Sequence, residues 1–205
     1  MRPGAPNGMS EPNDIAALIG SRICHDLVNP VGAIGNGVEL LGMAGMEGEE
    51  LALIRESVEQ TQARLQLLRL AFGTASAEAR VTGTELARTL GGPALGGRLQ
   101  VSCALPEMLA RQEARLATLL LLCCVSVMPR GGQITLSAGP EGWRIEARAE
   151  RLQLDKPAFA ALASGAAMPP LTPAEAQFAL APAALAETDR RLHVEAGDGR
   201  LTLSF

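Results

Sequence analysis

A chain of 205 residues with a formal net charge of −4 and a pI near 5.3 has room for one or two domains, of which two are expected, and offers no basic footprint for a nucleic-acid backbone. It has no tyrosine, four phenylalanines and one tryptophan, too little aromatic surface to stack bases, so no nucleic acid is expected as a partner. The longest apolar stretch, 116–128, is too short to span a bilayer, and residues 1–20 mix proline, glycine, asparagine and acids. No membrane partner is therefore expected, no sensor or membrane segment belongs to the chain, and its place should be cytoplasmic.

Residues 1–10 read as a disordered start. Ser10 or Asn13 is placed to cap a first helix from about Glu11 to Met43, bent at Pro30. Its apolar positions Cys24, Leu27, Val31, Ile34, Val38 and Leu41 alternate spacings of three and four. At about 100° per residue their mean direction lies roughly opposite His25, one of two histidines, which should face water. Arg22, Asn29, Gly32 and Asn36 fall on the same outer stripe. A lone helical histidine is ordinarily only a solvated residue, but Asp26 adjoins this one, Pro30 breaks the backbone ladder, and Gly32, Gly35, Gly37 and Gly42 crowd one segment. Each interior glycine costs about 1 kcal/mol relative to alanine, so the cluster calls for close helix packing or for room beside a docked protein.

Gly45, Glu47 and Gly48 make a turn into a second helix, about Glu47 to Ser76, whose seam Leu51, Ile54, Val58, Thr61, Leu65, Leu68 and Phe72 keeps the same alternation. Leu53, Leu67 and Leu70 add apolar surface beyond that seam. A two-helix hairpin cannot cover both faces alone, so a four-helix bundle in a homodimer is expected; the alternative is that the carboxy-terminal half folds back over the hairpin.

A boundary is expected near Arg80, giving a hairpin over 11–79 and a mixed α/β domain over 80–205. Thr84 can cap a short helix ending at Gly91-Gly92-Pro93, and Arg98 to Ala104 reads as a strand. Pro106 and Glu107 open a long apolar helix running to about Val127. Pro129-Arg130-Gly131-Gly132 then turns into two strands, Gln133 to Ala138 and Trp143 to Ala149, joined at Gly139-Pro140-Glu141-Gly142. Helices near Lys156 to Ala163 and Pro173 to Thr188 follow, and strands Arg191 to Ala196 and Arg200 to Phe205 close over Gly197-Asp198-Gly199. That turn is better explained as a hairpin than as a phosphate loop, and His193 as an exposed alternate strand residue. Cys24, Cys103, Cys123 and Cys124 lack metal-ligand spacing and read as thiols in a reducing compartment, the adjacent pair buried.

The string Cys24-His25-Asp26-Leu27-Val28-Asn29-Pro30, preceded by Ser21 and Arg22, resembles the phospho-acceptor box of sensor histidine kinases. The longer run to Leu41 resembles the ChpT-type histidine phosphotransferases of alphaproteobacterial phosphorelays. The second half is similar to the ATP-binding domain of sensor kinases, with Met128-Pro129-Arg130-Gly131-Gly132-Gln133-Ile134 matching the turn that ends the nucleotide helix. In those kinases that helix carries asparagines, one of which ligates Mg²⁺; the matching positions here are Leu119 and Cys123, neither suited to a hard cation. The expected Asp and glycine loop is replaced by Glu146 to Leu154, which has no glycine, and the glycine-rich lid by Ser164-Gly165-Ala166-Ala167-Met168-Pro169-Pro170.

The resemblance thus implies an α+β chain in which the helical hairpin forms a four-helix bundle in a homodimer, followed by a degenerate kinase-like α/β sandwich without ATP. It implies a relay in which His25 takes a phosphoryl group from the aspartyl phosphate of a receiver, such as that of a hybrid histidine kinase, and passes it to the receiver of a response regulator. No cofactor is expected on this chain, with Mg²⁺ supplied by the partner receiver. Asp26 is the candidate to orient the imidazole, Arg22 and Asn29 to meet the phosphoryl oxygens, and Ser21, Gly32 and Asn36 to seat the receiver. An active histidine kinase and a non-catalytic dimeric scaffold are the alternatives.

Overall fold

The computed structural model describes residues 12–44 and 48–205. The expected disordered start, the Ser10 cap and the turn at Gly45 and Glu47 lie outside the described residues, as do the side chains of Ser21, Cys24, His25 and Asn29.

Two helices form the first part, α1 (Pro12–Ala44) and α2 (Glu49–Phe72). Helix α1 continues through Pro30, whose missing N–H removes only one bond of the ladder. The helices pack against each other, and Gly37 is buried between them: a Cβ there would overlap Ile54 Cγ1. Gly32 and Gly35 are exposed, with no described atom within 4 Å of a Cβ built on either. The glycine run therefore divides into one residue needed for helix packing and two that leave open space. G37A is expected to destabilise the chain by about 1–3 kcal/mol in urea unfolding. In a G37A/I54A double variant the overlap is gone, so the two losses should be less than additive.

The α/β part runs β1 (Arg80–Thr82), α3 (Gly83–Gly91), a 3-10 turn at Pro93–Leu95, β2 (Leu99–Ala104), β3 (Met108–Ala110), α4 (Arg111–Ser126), β4 (Gly132–Gly139), β5 (Gly142–Arg148), α5 (Pro157–Ser164), a 3-10 turn at Pro173–Glu175, α6 (Ala176–Glu187), β6 (His193–Gly197) and β7 (Arg200–Ser204). The main sheet has the order β2-β4-β5-β7-β6, with β2 and β4 parallel and the other pairs antiparallel. Strands β1 and β3 form a separate antiparallel pair.

Three local expectations change. Residues 108–110 do not open the long helix but pair with β1, setting Leu109 opposite Val81. Both side chains are buried, so the short pair closes the core where a helical turn would expose one of them, and α4 starts at Arg111. Thr82, not Thr84, caps α3: its Oγ1 accepts from the Glu85 N–H at 3.1 Å. Helix α2 also stops at Phe72, four residues short of the expected end, because Gly73 turns to extended backbone.

Helix α4 is the centre of the core. Leu116, Leu119, Leu120, Leu121, Cys123 and Cys124 are all fully buried. The turn before β4 requires its glycines: Gly131 and Gly132 have φ of +80° and +143°, and a Cβ on either would run into the backbone carbonyl of Arg98 or Arg148. At the far end of the sheet Trp143 and Phe205 stack with ring centroids 6.1 Å apart.

The C-terminal half of α2 joins this core through Leu67, Leu70 and Ala71. Backbone carbonyls of the hairpin accept from the α/β part, Ala71 from Arg115 at 3.3 Å, Arg69 from Arg111 at 3.3 Å and Ala75 from Gln112 at 3.4 Å. The α/β part thus covers one end of α2, as the fold-back alternative requires. It leaves other apolar residues of the hairpin bare: Val31, Val38 and Met43 on α1 and Leu51, Leu53 and Leu65 on α2 are exposed.

Candidate functional site

The motif residues lie on α1 at the level where it passes the C-terminal half of α2. In an antiparallel hairpin one helix is read backwards against the other. Going eleven positions back from Gly37 reaches Asp26, and ten positions forward from its partner Ile54 reaches Arg64. Asp26 and Arg64 do meet, with Arg64 Nε 3.3 Å from Asp26 Oδ2. The same oxygen accepts from Arg22 Nε at 2.7 Å, one turn back on α1.

The Asp26 carboxylate is only 4% exposed, so this is a nearly dry ion cluster rather than a solvated surface pair. Removing water raises the cost of leaving any member unpaired and favours a carboxylate that holds two guanidiniums. Each guanidinium is also anchored elsewhere. Arg22 Nη1 donates to the Ala174 carbonyl at 2.7 Å and Arg64 Nη1 donates to the Ala94 carbonyl.

Arg22, expected on the outer stripe with His25, is thus turned into this cluster, its side chain 16% exposed. Gly32 and Asn36 are exposed on the next turns of α1. Arg64 was not singled out in the sequence, although the hairpin register and a lone basic residue between Thr61 and Leu65 of the seam were signals for it.

Farther from the motif, Leu119 and Cys123 are fully buried on α4, packed in the apolar core. Burial pushes the Cys123 thiol well above its ordinary range, with Cys124 adding to the effect, and burial pushes Cys124 up to about 12. Both stay protonated at neutral pH, which removes them as thiolate ligands or nucleophiles. The two α4 positions that the kinase resemblance pairs with oxygen ligands thus carry a buried leucine and a buried thiol. His193 is exposed on the edge strand β6, opposite Ser204, and Gly197 to Arg200 closes the β6–β7 hairpin with Gly199 at φ +70°. No helix among the described residues is long and apolar enough to cross a membrane.

Residues 83–200 match the sequence model of the family described as histidine phosphotransferase C-terminal domain. The chain belongs to that family. Protein phosphotransferase ChpT of Brucella abortus (strain 2308) is 53% identical over 62 residues, an alignment that covers 30% of this chain and 30% of that protein. A solved structure described as a bacterial phosphotransferase superposes with a TM-score of 0.79 at 27% identity, covering 96% of this chain and 97% of the other. The similarity in fold thus extends through the hairpin, beyond the residues that the histidine phosphotransferase model matches.

Proposed function

We propose that this histidine phosphotransferase relays phosphate between receiver domains through His25. The neutral imidazole attacks the phosphorus of a receiver's aspartyl phosphate; the N–P bond forms as the acyl P–O bond breaks, the aspartate leaves as carboxylate, and the ring nitrogen's proton is lost to solvent. The aspartate of a response-regulator receiver then attacks the phosphohistidine and regenerates the imidazole. Such transfer is mostly positioning and charge stabilisation, so the receiver's own Mg²⁺ supplies the electrophilic help while this chain offers an oriented nitrogen. Asn29 one turn on is the candidate to bond the phosphoryl group, and Ser21, Gly32 and Asn36 form the seat for the receiver.

The observation that carries this reading over that of an active kinase is the full burial of Leu119 and Cys123, which fills the expected metal and nucleotide positions with core side chains. The hairpin works as a homodimer in this reading. Support comes from the bare apolar residues at its free end, Met43 being 84% and Val38 58% exposed, an uncovered patch that a second hairpin would bury. Mixing the chain with a panel of phosphorylated receiver domains tests the relay: label must arrive on His25 and leave again on a second receiver. If no receiver in the panel can load it, the relay reading fails.

A further inference from the structure

We infer that Arg22, Asp26 and Arg64 form a clasp that fixes the α/β part against the motif end of the hairpin, with Arg64 acting as a positioning residue for phosphotransfer. The two carbonyls it holds come from the two 3-10 turns, Ala94 in Pro93–Leu95 and Ala174 in Pro173–Glu175, which are far apart in the chain. One carboxylate on α1 therefore ties together α1, α2 and both turns.

The geometry requires arginine at both positions. Each side chain spends Nε on Asp26 Oδ2 and Nη1 on a carbonyl, a fork that the single ammonium of lysine does not span in the same way. A merely solvated i,i+4 pair would need neither carbonyl nor Arg64. Asp26 at 4%, Arg22 at 16% and Arg64 at 26% exposure are shielded enough for these bonds to hold against water. The site also has a chemical logic. A unit that carries no nucleotide has nothing to bring to the imidazole, so it can be locked in place, and a docking receiver then meets one rigid surface made by both parts of the chain.

The clasp stands on geometry alone, whereas its consequence for transfer rests on the relay reading; two measurements on the full chain keep these apart. The first is amide hydrogen exchange without any receiver, read at Gly96, whose N–H bonds to Pro93, and at Glu175, whose N–H bonds to Thr172. In D26N both amides should exchange at least about ten-fold faster while α4 and β5 keep their protection. Unchanged protection at both sites overturns the clasp. Should D26N unfold the chain, R64M decides alone: it should loosen Gly96 more than Glu175, and equal or no loosening overturns the proposal.

The second measurement is transfer from a phosphorylated receiver over a range of receiver concentrations. R64M should raise KM several-fold with kcat nearly unchanged, the mark of a displaced docking surface. A fall in kcat at constant KM would make Arg64 part of the reacting centre and overturn the positioning role. Absence of transfer in the unaltered chain sinks the relay reading but leaves the exchange result intact.

Discussion

Replacing His25 with alanine is expected to stop phosphate passing between receivers, with a loss of at least about 10³-fold, because in the proposed relay His25 is the nucleophile that carries the phosphoryl group. Asp26 is engaged by two guanidiniums. The cysteines of α4 are buried and protonated. His193 sits on an edge strand as part of the β6–β7 hairpin. The measurement is transfer of labelled phosphate from one receiver to another in the presence of H25A, with a melting curve to show that the chain still folds. A scaffold without chemistry would bring the receivers together as well with alanine as with histidine. Passage at the unaltered rate would therefore favour the scaffold and remove the relay.

The second large effect is expected at Leu119. If the α4 position matching a kinase asparagine were a remnant of a nucleotide pocket, L119N would restore a polar group to a polar place and be tolerated. Leu119 is instead fully buried among core side chains. The variant deletes apolar packing and buries an amide with no partner, which together should cost about 4 kcal/mol in urea unfolding. It should gain no affinity for Mg-ATP in equilibrium dialysis. A cost under about 1 kcal/mol, the range of well-tolerated surface changes, would show that the site still accommodates polar groups and would reopen the kinase alternative.

Much of the fold was legible because the periodicities are long. The alternation of three and four through α1 and α2 located both helices to within a few residues, and the strand pairs flanking Gly139 to Gly142 and Gly197 to Gly199 were announced by their turns. The stretch 106–110 was misread for a physical reason. Pro106 and Glu107 are ordinary helix openers, and only the tertiary pairing of Leu109 with Val81 makes the next three residues extended. The cap at Thr82 was missed by two residues for a similar cause, since Thr84 carries an equally good hydroxyl and only the β1 exit decides between them.

The motif itself was legible, but the surroundings of its charges were not. Helical phase alone puts Arg22 on the outer stripe, yet a long side chain follows its partners, and Arg22 reaches Asp26 and the Ala174 carbonyl from there. Arg64 belongs to the cluster through hairpin register, and Ala94 and Ala174 through tertiary packing that no local pattern encodes. Leu67 and Leu70, apolar surface beyond the seam in the sequence, turn with Ala71 into the α/β core, while Val38 and Met43 stay exposed.

The most direct measurement of where the phosphate comes from uses two labelled donors side by side, ATP with Mg²⁺ and a phosphorylated receiver domain. The account predicts acid-labile label on His25 from the receiver and none from ATP, in either order of addition. Label arriving on His25 from ATP with no other protein present would contradict it.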